Sequence, residues 1–189
     1  MSYNIDFLQR RIISMNRTEQ MAQAIEEITS QLQNASELNT ALSGCLQTVI
    51  RALDSEAGTI WILKEGTEQI VPVISLGPVD ISDITITLGQ GIAGTVVSNG
   101  EAIIAADVNK DSRFSHSVDE KSGFVTRSIL CAPIFGKDQP LGCVQVINKQ
   151  DGEAYDQADL DLCEKLAGLT SNAILKKNAS AMEALRPAK

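Results

Sequence analysis

Apolar or small residues recur at Ile25, Ile28, Leu32, Ala35, Leu38, Leu42, Cys45 and Val49, mostly in steps of three and four. Such steps draw one stripe along one helix face. Residues 1 to about 55 hold no proline and, apart from Gly44, no glycine. Asn34-Ala35-Ser36 offers a break, with Ser36 the expected cap of a second helix reaching Val49 or Leu53. The spacing predicts a long N-terminal helix and then a shorter one. Either the chain's own sheet or a second copy in a coiled coil can cover the stripe. For residues 6–33 roughly four turns of seam favour a dimer, because a lone helix of that length is marginal. For residues 36–53 packing on the sheet is expected.

From Ser55 the texture becomes β-rich. Residues 59–63 form a strand ending at the turn signal Lys64-Glu65-Gly66, and residues 69–75 read as its hairpin partner, closed by Gly77-Pro78. Residues 84–88 alternate strictly, as a half-buried or edge strand does. A glycine-rich block, 89–94, leads into a short helix over 92–98, a turn at Asn99-Gly100 and a short strand over 102–105. Residues 127–135 and 141–148 are strong strands joined by a turn over 136–140. Between them and the short strand, residues 107–126 are polar and irregular, with Phe114 and Phe124 as lone aromatics. A long polar connection inside a compact domain is usually functional. Asp156 opens the last helix, with Asp159 completing a variant capping box and Tyr155 and Leu160 placed as a hydrophobic staple. Leu162, Leu166, Leu169 and Ala173 form its buried face. It should end near Ala179, with Arg186-Pro187 outside. The order is helix, helix, six strands interrupted by a helical insert, helix, which is an α+β class. The expected division is a helical lead over 1–35, one domain over 36–179 and a frayed tail over 180–189.

Composition narrows the functions. The 189 residues are 43% hydrophobic, and 16 basic residues face 24 acidic ones for a net charge of −8. That balance argues against sequence-independent nucleic-acid binding, which needs phosphate neutralisation, and no polybasic cluster suits an anionic membrane. No run approaches the ~20 apolar residues of a membrane span. Asp6 precedes any apolar run, so no signal peptide is expected. Four cysteines without a C-x-x-C pair, and a single histidine, make a zinc site improbable and fit a reducing, cytoplasmic setting. One histidine also weakens every imidazole-based mechanism. No catalytic residue and no metal ligand is nominated.

Several separated blocks carry a resemblance. They are Gly89-Gln90-Gly91-Ile92-Ala93-Gly94, Asp107-Val108, Arg113-Phe114, residues 123–134 (GFVTRSILCAPI), residues 141–149 (LGCVQVINK), and Tyr155 with Asp159. In order and spacing they resemble a GAF domain, over about residues 36–178. The subtype they are most similar to is the regulatory GAF domains of cyclic-nucleotide phosphodiesterases and cyanobacterial adenylyl cyclases. The resemblance implies a six-stranded antiparallel sheet with helices on both faces. The first and last helices share one face and often dimerise. The glycine-rich block and the insert cover the other and enclose a small-molecule pocket.

Asn148-Lys149…Tyr155…Asp159 is similar to the Asn-Lys…Phe…Asp-Glu signature of the cyclic-nucleotide-binding subset, with Tyr155 for Phe and Leu160 for Glu. In that subset the Lys–Asp pair latches the pocket from behind without touching ligand. The residues alone permit the same tie, since Lys149 ends a strand and Asp159 lies in the next helix's first turn. The alternative is a solvated pair contributing ~0–1 kcal/mol.

Gly91-Ile92-Ala93 open a short helix whose free N–H groups could meet an anionic group, or the glycines could serve only a tight turn. The resemblance puts a cyclic phosphate near this helix start. It aligns Asp119, Ser122 and Thr126 with insert positions that contact base and phosphate, and Gln145 with an inward-facing strand position. Phe114 and His116 lie in the same insert. Two departures mark the base side: Gly58 stands where the subset has a hydroxyl residue, and Ile74-Ser75 where it often has an aromatic followed by Asp.

The expected function is a small-molecule-sensing regulatory domain in signal transduction, not an enzyme. A cyclic nucleotide is then an allosteric ligand rather than a cofactor. Its partners are a second copy, met through the N- and C-terminal helices, and a signalling protein. One alternative is a ligand-free dimerisation scaffold. Another is a free methionine sulfoxide reductase, which the resemblance would place on a cysteine in the glycine block, where Ala93 stands.

Overall fold

The first helix begins at a reciprocal cap. Asn16 Oδ1 accepts from Glu19 N at 3.0 Å, and Asn16 N donates to Glu19 Oε2 at 3.1 Å, satisfying N–H groups that a helix start otherwise leaves open. The computed structural model describes residues 16–150 and 152–176. The seam residues before Asn16, the helix end proposed near Ala179 and the tail over 180–189 lie outside these.

Helix α1 spans Arg17–Gln33 and stops at Asn34, whose Nδ2 donates to Ser30 O. Helix α2 spans Leu38–Ala52. Its cap position is Glu37, without a side-chain bond, so Ser36 is not the cap expected of it; the helix starts one residue too late for the Ser36 hydroxyl. Strands β1 (Ser55–Leu63) and β2 (Gln69–Leu76) form the first hairpin. The alternating segment after it gives only a two-residue strand, β3 (Ile86–Thr87), while Ile81 and Ile84 turn inward as buried loop residues. Then come α3 (Gly91–Asn99), β4 (Ile103–Ala105), a single 3₁₀ turn (Val108–Lys110) and α4 (Ser117–Ser122). The insert read as irregular therefore holds two short helical turns. The second hairpin is β5 (Ile129–Phe135) and β6 (Pro140–Lys149), and α5 (Gln157–Lys176) closes the chain.

The six strands are ordered β3-β2-β1-β6-β5-β4, and every ladder is antiparallel. Helices α2 and α5 cover one face, with α1 packed over them, and α3 and α4 lie on the other, so the sheet is buried on both sides. The first face packs Leu42, Leu46, Val49, Leu162 and Leu166 against Ile60, Leu130, Val144 and Val146. The second packs Trp61, Ile70, Ile92, Val96 and Cys143. Within α1, Ala24 and Ile28 are buried, and Met21, Ile25 and Leu32 lie against the same cluster. Burying a side chain like Ile28 is worth ~2 kcal/mol, so part of the seam is covered by α2 and α5 of the same chain.

Candidate functional site

The second face of the sheet does not close completely. Between it, α3 and the insert lies a cavity of ≈ 80 Å³, counted as the space open to the centres of water molecules. One water needs ~10–15 Å³ on that measure, so the space holds several waters or a small organic fragment. Its floor comes from alternate positions on three strands: Ser75 on β2, Ala57, Thr59 and Trp61 on β1, Gln145 and Ile147 on β6. Ser75 lies opposite Thr59, and Thr59 opposite Gln145, so three uncharged polar side chains cross the floor in a row. Trp61 Nε1 donates to Gln145 Oε1 at 2.9 Å.

The walls come from the glycine block and the insert. Gly91, Ile92 and Ala93 line one side at the start of α3. Gly91 takes a φ of +64°, which a side chain would strain. Gly94 lies behind: a Cβ there would stand 2.5 Å from Thr87 O, so α3 seats on β3 only because the position has no side chain. Phe114, Asp119, Ser122, Phe124 and Thr126 form the roof. Asp119 is held from across the loop, its Oδ2 accepting from Thr126 N at 2.8 Å and its Oδ1 from Thr126 Oγ1 at 2.7 Å. Gly123 ends α4 with a φ of +73°. The aromatics wall the space without filling it.

Of the eleven nominated ligand positions, eight border this cavity: Ser75, Ile92, Ala93, Phe114, Asp119, Ser122, Thr126 and Gln145. Three do not. Gly58 faces the other side of the sheet, where a Cβ would stand 3.1 Å from Ile50 and Leu46. Ile74 packs into the core beneath the terminal helices. His116 sits at the start of α4 with its ring edge-on to Phe114, centroids 4.8 Å apart, outside the lining. The first two are errors of strand parity: the side chain reaching the cavity from β1 is Thr59, one residue later. The hydroxyl that seemed to be missing is therefore on the floor. Nothing in the sequence marked Trp61 as the partner of Gln145.

Behind the cavity, Lys149 Nζ meets Asp159 Oδ2 at 2.9 Å, with side chains 9% and 1% exposed. The same nitrogen lies 5.9 Å from the Tyr155 ring centre. Tyr155 Oη and Ser55 Oγ are hydrogen-bonded at 2.8 Å, and burial pushes the phenol's pKa up. Arg17, which no motif singled out, adds a second cation: its Nη2 reaches Asp159 Oδ1 at 2.7 Å while the guanidinium also grips both oxygens of Asp156. That contact holds the Asp156 pKa at about 2 and raises that of Arg17. Asn148 is fully buried with a φ of +59°. Its Oδ1 accepts from Arg127 N and Ser128 N, and its Nδ2 donates to Val125 O and Glu56 Oε2. The insert's end is thereby stapled to β1 and β6. Arg127 and Asn148 together lower the Glu56 pKa.

All four cysteines are buried and free. Burial raises the pKa of Cys131 and Cys163, and burial beside Glu27 pushes Cys45 up to about 12. Among the described residues no group of His, Cys, Asp or Glu could hold a metal ion, and no helix is long and apolar enough to cross a membrane.

The family model of the GAF domain matches residues 37–174. The chain belongs to the GAF domain family. This GAF domain is 38% identical over 108 residues to a probable 3',5'-cyclic phosphodiesterase of Caenorhabditis elegans, covering 57% of the chain and 14% of that protein. It is 28% identical over 167 residues to a dual 3',5'-cyclic-AMP and -GMP phosphodiesterase of Drosophila melanogaster, covering 78% of the chain and 11% of that protein. The chain thus spans a small part of the curated relatives it matches. Among solved structures, the GAF domain of a phosphoenolpyruvate-protein phosphotransferase from Coxiella burnetii superposes with a TM-score of 0.76 at 20% identity, covering 90% of this chain and 99% of that one. The match to the phosphodiesterases is to a regulatory domain, not to a catalytic one.

Proposed function

We propose that this GAF domain is a small-molecule-sensing regulatory module in signal transduction, with a cyclic nucleotide as its allosteric ligand. The cavity is the observation that supports this reading. A floor of Ser75, Thr59 and Gln145 faces an open space roofed by a short insert. Neither hydroxyl is engaged by another side chain among the described residues. The phosphodiesterase relatives favour a cyclic nucleotide. A ligand of that size needs more room than ≈ 80 Å³, so binding requires the roof to move outward about Gly123 and the Asp119–Thr126 contact. Two roof positions with different affinity for ligand are what a sensor requires. Output would pass along β6 to Lys149 and Asp159 and so to α1 and α5, through which we expect a second copy or a signalling partner to dock. Sedimentation equilibrium tests the dimer: a monomer across the micromolar range removes it.

Trp61 is the chain's one tryptophan, so its emission reports on this cavity alone. Cyclic AMP and cyclic GMP are titrated while melting temperature and Trp61 fluorescence are followed. Ligand at 100 times its dissociation constant adds ~2.7 kcal/mol of stability, so at least one should raise the melting temperature and change the emission. Flat curves by both measures sink the sensing reading. The scaffold reading, which the small cavity favours, would then stand. A reductase is disfavoured by the burial of all four thiols, since reactive cysteines are accessible and depressed in pKa.

A further inference from the structure

Gln145 has a direction. An indole N–H only donates, so the atom that receives Trp61 Nε1 at 2.9 Å must be the amide oxygen. The two N–H groups of the carboxamide are then left to face the cavity. Turning the amide over would set N–H against N–H and leave both donors unsatisfied. Trp61 itself is 2% exposed and cannot follow such a turn without leaving the core. The neighbours across the ladder are Thr59 and Cys131, and neither supplies an acceptor of fixed polarity. Hydroxyls such as those of Thr59 and Ser75 donate or accept as required, so they tolerate either kind of ligand atom. Among the described residues, no Lys, Arg or His lines the cavity. The carboxylate that lines it among the described residues, Asp119, has both oxygens engaged by Thr126.

We propose that Trp61 is a positioning residue that fixes Gln145 as a hydrogen-bond donor, so that the floor selects a neutral or singly charged ligand presenting an acceptor to β6. The inference rests on the reading of the cavity as a small-molecule site. A ligand with a donor at that point would meet another donor, and one with a double negative charge would find no cationic side chain. A site built to pair one hydrogen-bonding group rejects analogues that cannot make the pair.

Quinoline and indole are suitable probes, being neutral bicyclic rings of similar size, one with an acceptor nitrogen and one with only a donor. Each is titrated into the ¹⁵N-labelled full chain while the Gln145 side-chain amide and the Trp61 indole resonance are followed. Quinoline should bind at least about tenfold more tightly than indole and shift the Gln145 amide protons. In Trp61→Phe the amide is free to turn, and the preference should fall to within about threefold. In Gln145→Glu one carboxylate oxygen still accepts from Trp61 and the other faces the cavity, so the order should reverse. Equal affinities in the unaltered protein, or a preference for indole, overturn the proposal and leave the sensing reading standing. A preference that survives in Trp61→Phe overturns the positioning role. Should either variant fail to fold, the unaltered protein's preference and the other variant decide. Binding of neither ring at millimolar concentration removes the small-molecule site, and this proposal with it.

Discussion

Asn148 concentrates more of the site's geometry than any residue that touches the cavity. Its side chain satisfies two backbone N–H groups and one carbonyl at the end of the insert, and its backbone sits in the left-handed region, which Asn tolerates better than most residues. Asn148→Ala removes those bonds while keeping a Cβ at positive φ. It should cost about 3 kcal/mol in chemical denaturation. Asn148→Gly loses the same bonds but relieves the backbone, and should be about 1 kcal/mol less damaging. Thr59→Val belongs to the other kind of residue. It preserves shape, so melting should change little, while ligand-induced stabilisation by a cyclic nucleotide should fall. The motif around Asn148 was legible because its residues, close together in the sequence, resemble a family signature. The parity of β1 was not. Every residue from Ala57 to Ile62 is buried, so no alternation of polar and apolar positions says which side Gly58 or Thr59 takes. On β2 a register shift opposite Ile60 and Trp61 breaks the simple count as well.

Between elements, the decisive contact is the one from α1 to the start of α5. Asp159 is almost wholly buried and faces two cations, Lys149 and Arg17. A single deletion there leaves charge without its full complement. Lys149→Met should therefore destabilise the domain more than Arg17→Met, because Lys149 is the more buried cation. Arg17→Met should mainly loosen α1, seen as faster amide hydrogen exchange over residues 17–24. The contact of Arg17 with Asp156 gives a pH signature. Arg17 lowers the Asp156 pKa from 3.8 to about 2, so its contribution is present above pH ~4 and fades as pH falls toward 2. Acid titration of unfolding should show the unaltered protein losing stability across that window and Arg17→Met losing less. Periodicity revealed α1 and its apolar stripe. It did not reveal what part of the stripe rests on, because steps of three and four suit a partner helix and the chain's own helices equally. Ser36 misled for a smaller reason: capping chemistry is common in the loops that precede helices, and here the helix starts further on.

At the scale of the whole molecule, the α+β class and the antiparallel hairpins followed from strong strands, turn signals and glycine-rich breaks, while the helices on both faces were implied only by the family resemblance. The cavity's existence did not, since it depends on how far the insert stands off the floor. The sheet's centre is unforgiving. A Cβ on Gly142 would stand 2.0 Å from the Trp61 carbonyl oxygen, so Gly142→Ala should cost about 3 kcal/mol in denaturant unfolding and disturb the indole emission. The covering of the opposite face has a different implication. The family match begins at residue 37, yet Ala24 and Ile28 seal the groove between α2 and α5. A fragment trimmed to start at residue 36 would bare that greasy furrow, bind a hydrophobic dye, and clump unless another polypeptide filled it. The border drawn by kinship and the border drawn by wetting therefore differ by at least two turns of helix.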